Sequence, residues 1–220
     1  MTRIVLVRHG ESNVTVDRRI GGWRSCNGLS ALGRQQAERL RDRWTSNPEF
    51  TADVLVASNY ARAQETAEII APALGGLSMT IDDGFGEHDP GPECDGMSFD
   101  DFVAAYPDAT ASWRTGDPFA TTFPGGETIA AFHFRVGSAL RRVVDAHEGR
   151  TIVISCHGGV IDQVMRIALR VPSMGGFRIY TRNTAVSEFT RTDESMWRIE
   201  RYNDAAHLAG LPLATGDGAG

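Results

Sequence analysis

The stretch RIVLVRHGESN, residues 3–13, drives four aliphatic residues, Ile4 to Val7, straight into Arg8, His9 and Gly10. A continuous apolar, β-branched run reads as a strand buried on both faces. A guanidinium and an imidazole at the end of such a strand belong at the floor of a cleft, and Gly10 lets backbone approach a ligand closely. RTIVISCHGG, residues 150–159, ends the same way, on His157, Gly158 and Gly159. Two buried strands with the same ending predict two imidazoles at one edge of one sheet.

Working outward, LSALGRQQAERLRDRW (29–44) reads as a helix with Ser30 as N-cap, and DVLVAS (53–58) as a second buried strand. NYARAQETAEIIAPAL (59–74) reads as a helix closed by Pro72 and Gly75-Gly76, and LSMTID (77–82) as a short strand. GETIAAFHFRVGSALRRVVDAH (126–147) and VIDQVMRIAL (160–169) read as helices, and NTAVSEFTR with MWRIERYN as a hairpin near the end. The alternation predicts an α/β fold: a three-layer α/β/α sandwich with a mostly parallel central sheet, an antiparallel edge strand and a short helical lid insertion. One domain is expected over 1–208, with the lid excursion over about 83–126, rich in Gly, Pro and Asp. A flexible tail is expected over 209–220.

The 220 residues carry a formal charge of −6 and are 41% hydrophobic, enough for a real core. The negative balance argues against a general nucleic-acid binder. Three cysteines, Cys26, Cys94 and Cys156, form neither a disulfide framework nor a CxxC metal pair. No run reaches transmembrane length and the N-terminal apolar run is short for a signal peptide, so no membrane association and a cytoplasmic location are expected.

In sheets of this kind ligands sit beyond the carboxyl ends of the strands. Four features fall there: Arg8-His9, Ser58 leading to Arg62, Glu87-His88-Asp89, and Cys156-His157. Two forked guanidiniums and two imidazoles suit a tetrahedral oxyanion such as phosphate. A neutral imidazole is a competent nucleophile towards phosphorus, and Glu87 is placed to give the leaving alcohol its proton. Taken singly, each has a bland reading: a strand-end His as a turn residue, Arg62 as a surface helix residue, Glu-His-Asp as a solvated loop. No HExxH or similar spacing supports a metal site. The joint placement favours function without naming a reaction.

LVRHGES (6–12) resembles the R-H-G signature of the histidine phosphatase superfamily, also called the phosphoglycerate mutase-like family. GLSALGRQQA, ASNYARAQETA, GEHDPGPECDGMSFDDF, FPGGET and VISCHGGVI resemble further family elements, in the right order from residue 4 to about 190. The resemblance implies that His9 attacks phosphorus, that Arg8, Arg62 and His157 hold the phosphoryl oxygens, and that Glu87 is general acid and then base, with no metal or other cofactor. It also implies substrate contacts from Gly22 and from Gly158. Where the family commonly has asparagine, six residues after the histidine, this chain has Thr15, expected to donate one hydrogen bond to the phosphate. A one-residue lengthening between Gly91 and Gly96 leaves Glu87 favoured over Asp89 as acid. Cys156 is expected to be a small packed residue, and Trp23 serves equally as packing or as contact.

A phosphatase acting on a small-molecule phosphomonoester is the preferred reading. The excursion from Gly84 to Gly126 holds Arg114 as its one basic side chain against Glu87, Glu93 and several aspartates, a poor receptor for a phosphoglycerate carboxylate. Phe85, His88, Trp113, Phe119 and Phe123 are candidates for the pocket mouth, or for local packing. The acidic lid favours a neutral or cationic leaving group, such as a sugar or an amino alcohol. A mutase-type phosphoryl transfer and a non-catalytic phosphate-binding module remain open alternatives, as does a homodimer.

Overall fold

Ile4, Val5, Leu6 and Val7 are each 0% exposed because the strand that carries them, Thr2–Arg8 (β1), has strands on both sides and helices on both faces. Ile4 and Leu6 face one helical layer, and Val5 and Val7 the other, as the two-residue period of a strand requires. Full burial of each is worth about 1.5–3 kcal/mol. The computed structural model describes residues 1–112, 123–175, 177, 179–192 and 196–215.

After β1 the chain forms a helical turn at Asn13–Val16 (α1), then Ala31–Ser46 (α2), Val54–Ala57 (β2), Ala61–Ile70 (α3) and Met79–Ile81 (β3). The excursion carries Gly91–Cys94 (α4), Phe99–Ala105 (α5) and Pro107–Ser112 (α6). Ile129–Ala146 (α7), Thr151–Cys156 (β4), Gly158–Leu169 (α8), Val186–Arg191 (β5) and Trp197–Asp204 (β6) complete the fold. The sheet order is β3-β2-β4-β1-β5-β6. The first four strands are parallel, and β5 runs antiparallel to both β1 and β6. The expected antiparallel element is this closing hairpin.

Local chemistry sets the helices. Ser30 caps α2 by accepting the Gly33 N–H at 3.0 Å while giving its own proton to Glu11. Thr128 caps α7 through the Ala131 N–H at 3.1 Å. One stripe of α7, Phe132, Val136, Ala139, Leu140 and Val143, packs on the β1 face that carries Ile4 and Leu6. Leu40 and Trp44 of α2, with Ala67 and Ile70 of α3, cover the opposite face.

The lid has a small core of its own, Ile20, Cys94 and Phe102 with Met97 and Phe123 packed on it. Phe85, a candidate for the pocket mouth or for packing, is 0% exposed and belongs to the main core. Phe123 and His88 do line a cavity. Trp113, Arg114 and Phe119 lie outside the described residues. The start of the expected loose tail is docked: Ala214 is buried and the Thr215 N–H donates to the buried carboxylate of Glu11 at 2.6 Å. No described helix is long and apolar enough to cross a membrane.

Candidate active site

Strands β1 and β4 pair in parallel with Arg8 opposite Cys156, so His9 and His157 emerge side by side. The His9 N–H donates to the Cys156 carbonyl at 2.9 Å, and the two ring centroids are 5.0 Å apart, edge to face. Both rings are buried, His157 completely. Burial, reinforced by the guanidiniums of Arg62 and Arg8, holds each imidazole well below the usual histidine range, so both are neutral at pH 7.

Hydrogen bonds assign the tautomers. His9 Nδ1 lies 2.6 Å from the Gly10 carbonyl, which only accepts, so the ring proton sits on Nδ1. Nε2 keeps its lone pair and accepts from Arg62 Nε at 3.1 Å. His157 Nε2 lies 2.7 Å from Ser58 Oγ, which already accepts the Tyr60 N–H at 3.2 Å. A buried hydroxyl proton without an acceptor costs about 1–3 kcal/mol. We therefore assign the Ser58 proton to His157 Nε2, which leaves His157 Nδ1 as a donor. That nitrogen is buried and has no protein partner among the described residues.

Arg62, in the first turn of α3, is 5% exposed. It also donates to the Gly21 carbonyl at 3.2 Å and lies over the Tyr60 ring at 4.5 Å. Arg8 donates to the Thr181 carbonyl. Gly158, which opens α8, lies against Arg8: an added Cβ would sit 3.6 Å from its Nε. The backbone of Arg8 and His9 is clasped from β5's approach segment. Thr184 N–H donates to the Arg8 carbonyl at 2.8 Å and Asn183 Nδ2 to the His9 carbonyl at 2.9 Å. Thr184 holds φ +54°, a costly conformation for a β-branched residue.

Glu87 follows the short turn after β3. Its carboxylate accepts the Gly159 N–H at 3.1 Å and its neighbour His88's N–H at 3.0 Å. It therefore caps the N-terminus of α8, two residues from His157. Asp89, the competing acid, turns onto its own loop and accepts the Gly91 N–H at 2.9 Å. Thr15 shares a hydrogen bond with Ser12 Oγ at 2.9 Å.

Gly22 corrects an expectation. Its N–H, expected to face a substrate, donates to Asp95 Oδ1 at 2.9 Å. The same carboxylate accepts the N–H groups of Arg24 and Ser25 at 3.0 and 3.3 Å and the Ser25 hydroxyl. An Asp on the lid base has filled the nest of donors, and Gly22 is needed for close approach instead: a Cβ there would be 2.4 Å from Asp95.

Strand-end reasoning named Ser58 without giving it a role and passed over Tyr60 on the way to Arg62. The Tyr60 ring lies 4.6 Å from His157, and its hydroxyl donates to the Glu87 carbonyl at 3.3 Å. Arg135 was also passed over. A charged residue three positions after Phe132, bordering the buried stripe of α7, was its signal. Cys156 is fully buried, and burial pushes its thiol far up, so it offers no thiolate at neutral pH.

Two cavities flank Glu87. One, of about 390 Å³, is lined by Trp23, Tyr60, Asp83, Asp89, Glu127 and Arg135 among others. The other, of about 320 Å³, is mostly apolar, with Ile20, His88, Phe99 and Phe123 in its wall.

A family model for the histidine phosphatase superfamily (branch 1) matches residues 4–205. The chain belongs to the histidine phosphatase superfamily. Phosphoglycerate mutase-like protein 4 of Arabidopsis thaliana is 32% identical to this superfamily member over 205 residues, 93% of this chain and 86% of that protein. A Bacillus subtilis (strain 168) protein named uncharacterized phosphatase PhoE is 30% identical over 212 residues, 96% of this chain and 99% of that one. The solved structure of Bacillus stearothermophilus YhfR superposes with a TM-score of 0.80 at 30% identity, covering 94% of this chain and all of that one. The first two names are those of phosphoryl-handling enzymes.

Proposed function

We propose that this superfamily member is a metal-independent phosphomonoesterase that works through a phosphohistidine on His9. The observation that carries the reading is His9 itself: a neutral ring, with its proton held on Nδ1 by Gly10 and its Nε2 lone pair beside the Arg62 guanidinium.

A phosphoryl group entering the site takes over the Arg62 Nε–H, which frees Nε2 to attack phosphorus. The N–P bond forms as the P–O bond to the leaving group breaks. Arg8, Arg62 and His157 Nδ1–H hold the equatorial oxygens as charge spreads onto them. Each such donor is worth roughly 3–4 kcal/mol of barrier. Glu87 gives its proton to the departing alkoxide. As a carboxylate it then takes a proton from water, whose oxygen attacks phosphorus and returns the N–P electron pair to His9 Nε2. Thr15 and Gly158 are further candidates for phosphate contacts, whereas the Gly22 N–H is taken by Asp95.

For the leaving group we infer a small neutral or cationic alcohol. Its support is the cavity beside Glu87, whose wall sets Asp83, Asp89 and Glu127 against the guanidinium of Arg135, with Trp23 and Tyr60 beside them. The name of the Arabidopsis relative favours a second reading, phosphoryl transfer of the mutase type. One experiment separates the two: incubation with p-nitrophenyl phosphate and a panel of phosphomonoesters, EDTA present. Release of inorganic phosphate supports the phosphatase. A need for metal, or return of the phosphoryl group to a phosphoglycerate without phosphate release, contradicts it.

A further inference from the structure

We propose that Arg135, locked by Glu127, is a positioning residue for the general acid: it holds the loop that aims Glu87 at the leaving-group oxygen. The inference rests on the assignment of Glu87 as that acid.

The loop has little structure of its own. Residues 83–85 form a single tight turn, and the chain then runs extended through Gly86. Its carbonyls point at one side chain. Arg135 Nη1 donates to the carbonyls of Gly84 and Gly86, each at 3.1 Å, and of Asp83 at 3.3 Å. Arg135 Nη2 donates to the carbonyl of Glu87 itself at 3.2 Å. The guanidinium is fixed in turn by a forked pair with Glu127, Nε to Oε1 at 2.9 Å and Nη2 to Oε2 at 2.8 Å. Glu127 continues the stitching. Its carbonyl accepts from His88 Nε2 at 2.6 Å, and its N–H donates to the Asp89 carbonyl at 2.9 Å.

Residues Gly84 to Asp89 are thus held to the 127–135 segment at every position but Phe85, which is anchored by its burial in the core. Arg135 projects from the first half of α7, where Phe132 and Val136 pack into the core. Its guanidinium lies over the Phe132 ring at 5.1 Å. The acid loop is therefore registered against the rigid layer that also supports β1 and β4, the strands that deliver His9 and His157. A shift of about 1 Å in a reacting group can cost on the order of 10² in rate. Lysine cannot replace the fork, because a single ammonium cannot span a carboxylate and several carbonyls at once.

The test uses leaving groups. Wild type, Glu87→Gln, Arg135→Lys and Glu127→Gln are compared on p-nitrophenyl phosphate, whose phenolate leaves without a proton, and on β-glycerophosphate, whose alkoxide needs one. Arg135→Lys should lose roughly 10- to 100-fold in kcat/KM on β-glycerophosphate and stay within about threefold on the aryl ester. Glu127→Gln should show the same selectivity to a smaller degree, and it serves alone if Arg135→Lys does not fold. Adding Arg135→Lys to Glu87→Gln should cost nothing more on β-glycerophosphate, since both act on one proton transfer. Equal loss on both esters, or losses that multiply, in the presence of a selective Glu87→Gln would overturn the positioning role and leave the acid assignment standing. A Glu87→Gln variant that slows both esters equally would remove the acid assignment and the proposal with it.

Discussion

Arg62 Nε and His9 Nε2 face each other at 3.1 Å, so a guanidinium rests on the lone pair that the proposed mechanism uses for attack. On that mechanism Arg62 is both a guard of the free nucleophile and the first partner that an incoming phosphoryl group must recruit. Arg62→Ala should therefore cut kcat/KM by about 10²–10³. Arg114→Ala, in the 83–126 excursion of the sequence, should stay near wild type. Steady-state kinetics on one phosphomonoester check this; equal losses would mean that the strand ends nominate the wrong arginine.

Ser58 sets the tautomer of His157. In ¹⁵N NMR the free enzyme should show His157 neutral with its proton on Nδ1, and Ser58→Ala should lose that preference and weaken inhibition by inorganic phosphate about tenfold. A wild-type His157 protonated on Nε2 contradicts the assignment.

Gly33 and Gly10 allow α2 to meet the loop after β1 backbone to backbone. A Cβ on Gly33 would lie 2.0 Å from the Glu11 carbonyl oxygen, and neither partner is a side chain that can turn away. Gly33→Ala should destabilise by about 1–3 kcal/mol, lowering the melting temperature by several degrees. An unchanged melting curve would show that the two segments separate freely.

Stability should fall on acidification. Burial holds His9 and His157 well below their ordinary values and brings His207 down to about 4. Unfolded, these rings bind protons near pH 6.5; folded, they resist until lower pH. The unfolded state thus binds more protons below about pH 6.5, and stability is lost from there downward, for His207 through about pH 4. Asp204, held low chiefly by its hydrogen bonds from Arg43, pulls in the same direction at still lower pH. Denaturant melts at pH 7 and pH 5 check the sign, and greater stability at pH 5 would contradict it.

Much of this was legible because it is written in continuous apolar runs that end on polar residues. Ile4 to Val7 read as a strand covered on both faces, and the endings of β1 and β4 read as one edge. What stayed hidden is written in backbone. The Thr181 carbonyl that holds Arg8, the +54° φ of Thr184 and the four carbonyls gathered by Arg135 carry no residue signature. Gly22 misled for the same reason: its N–H was visible in the sequence, but not that Asp95, 73 residues on, would claim it. Phe85 read equally as pocket mouth or as packing, and the turn at 83–85 drops it into the core.

The most direct test of the central claim is the chemistry of the covalent intermediate. Rapid mixing with a ³²P-labelled phosphomonoester and quenching should trap label that is stable in base, released in acid, located on the peptide carrying His9 and absent from His9→Ala, while that variant keeps the wild-type circular dichroism spectrum. Label that is stable in acid and released in base would mean an acyl phosphate. Undiminished turnover by a folded His9→Ala variant would mean that the phosphoryl group never passes through His9.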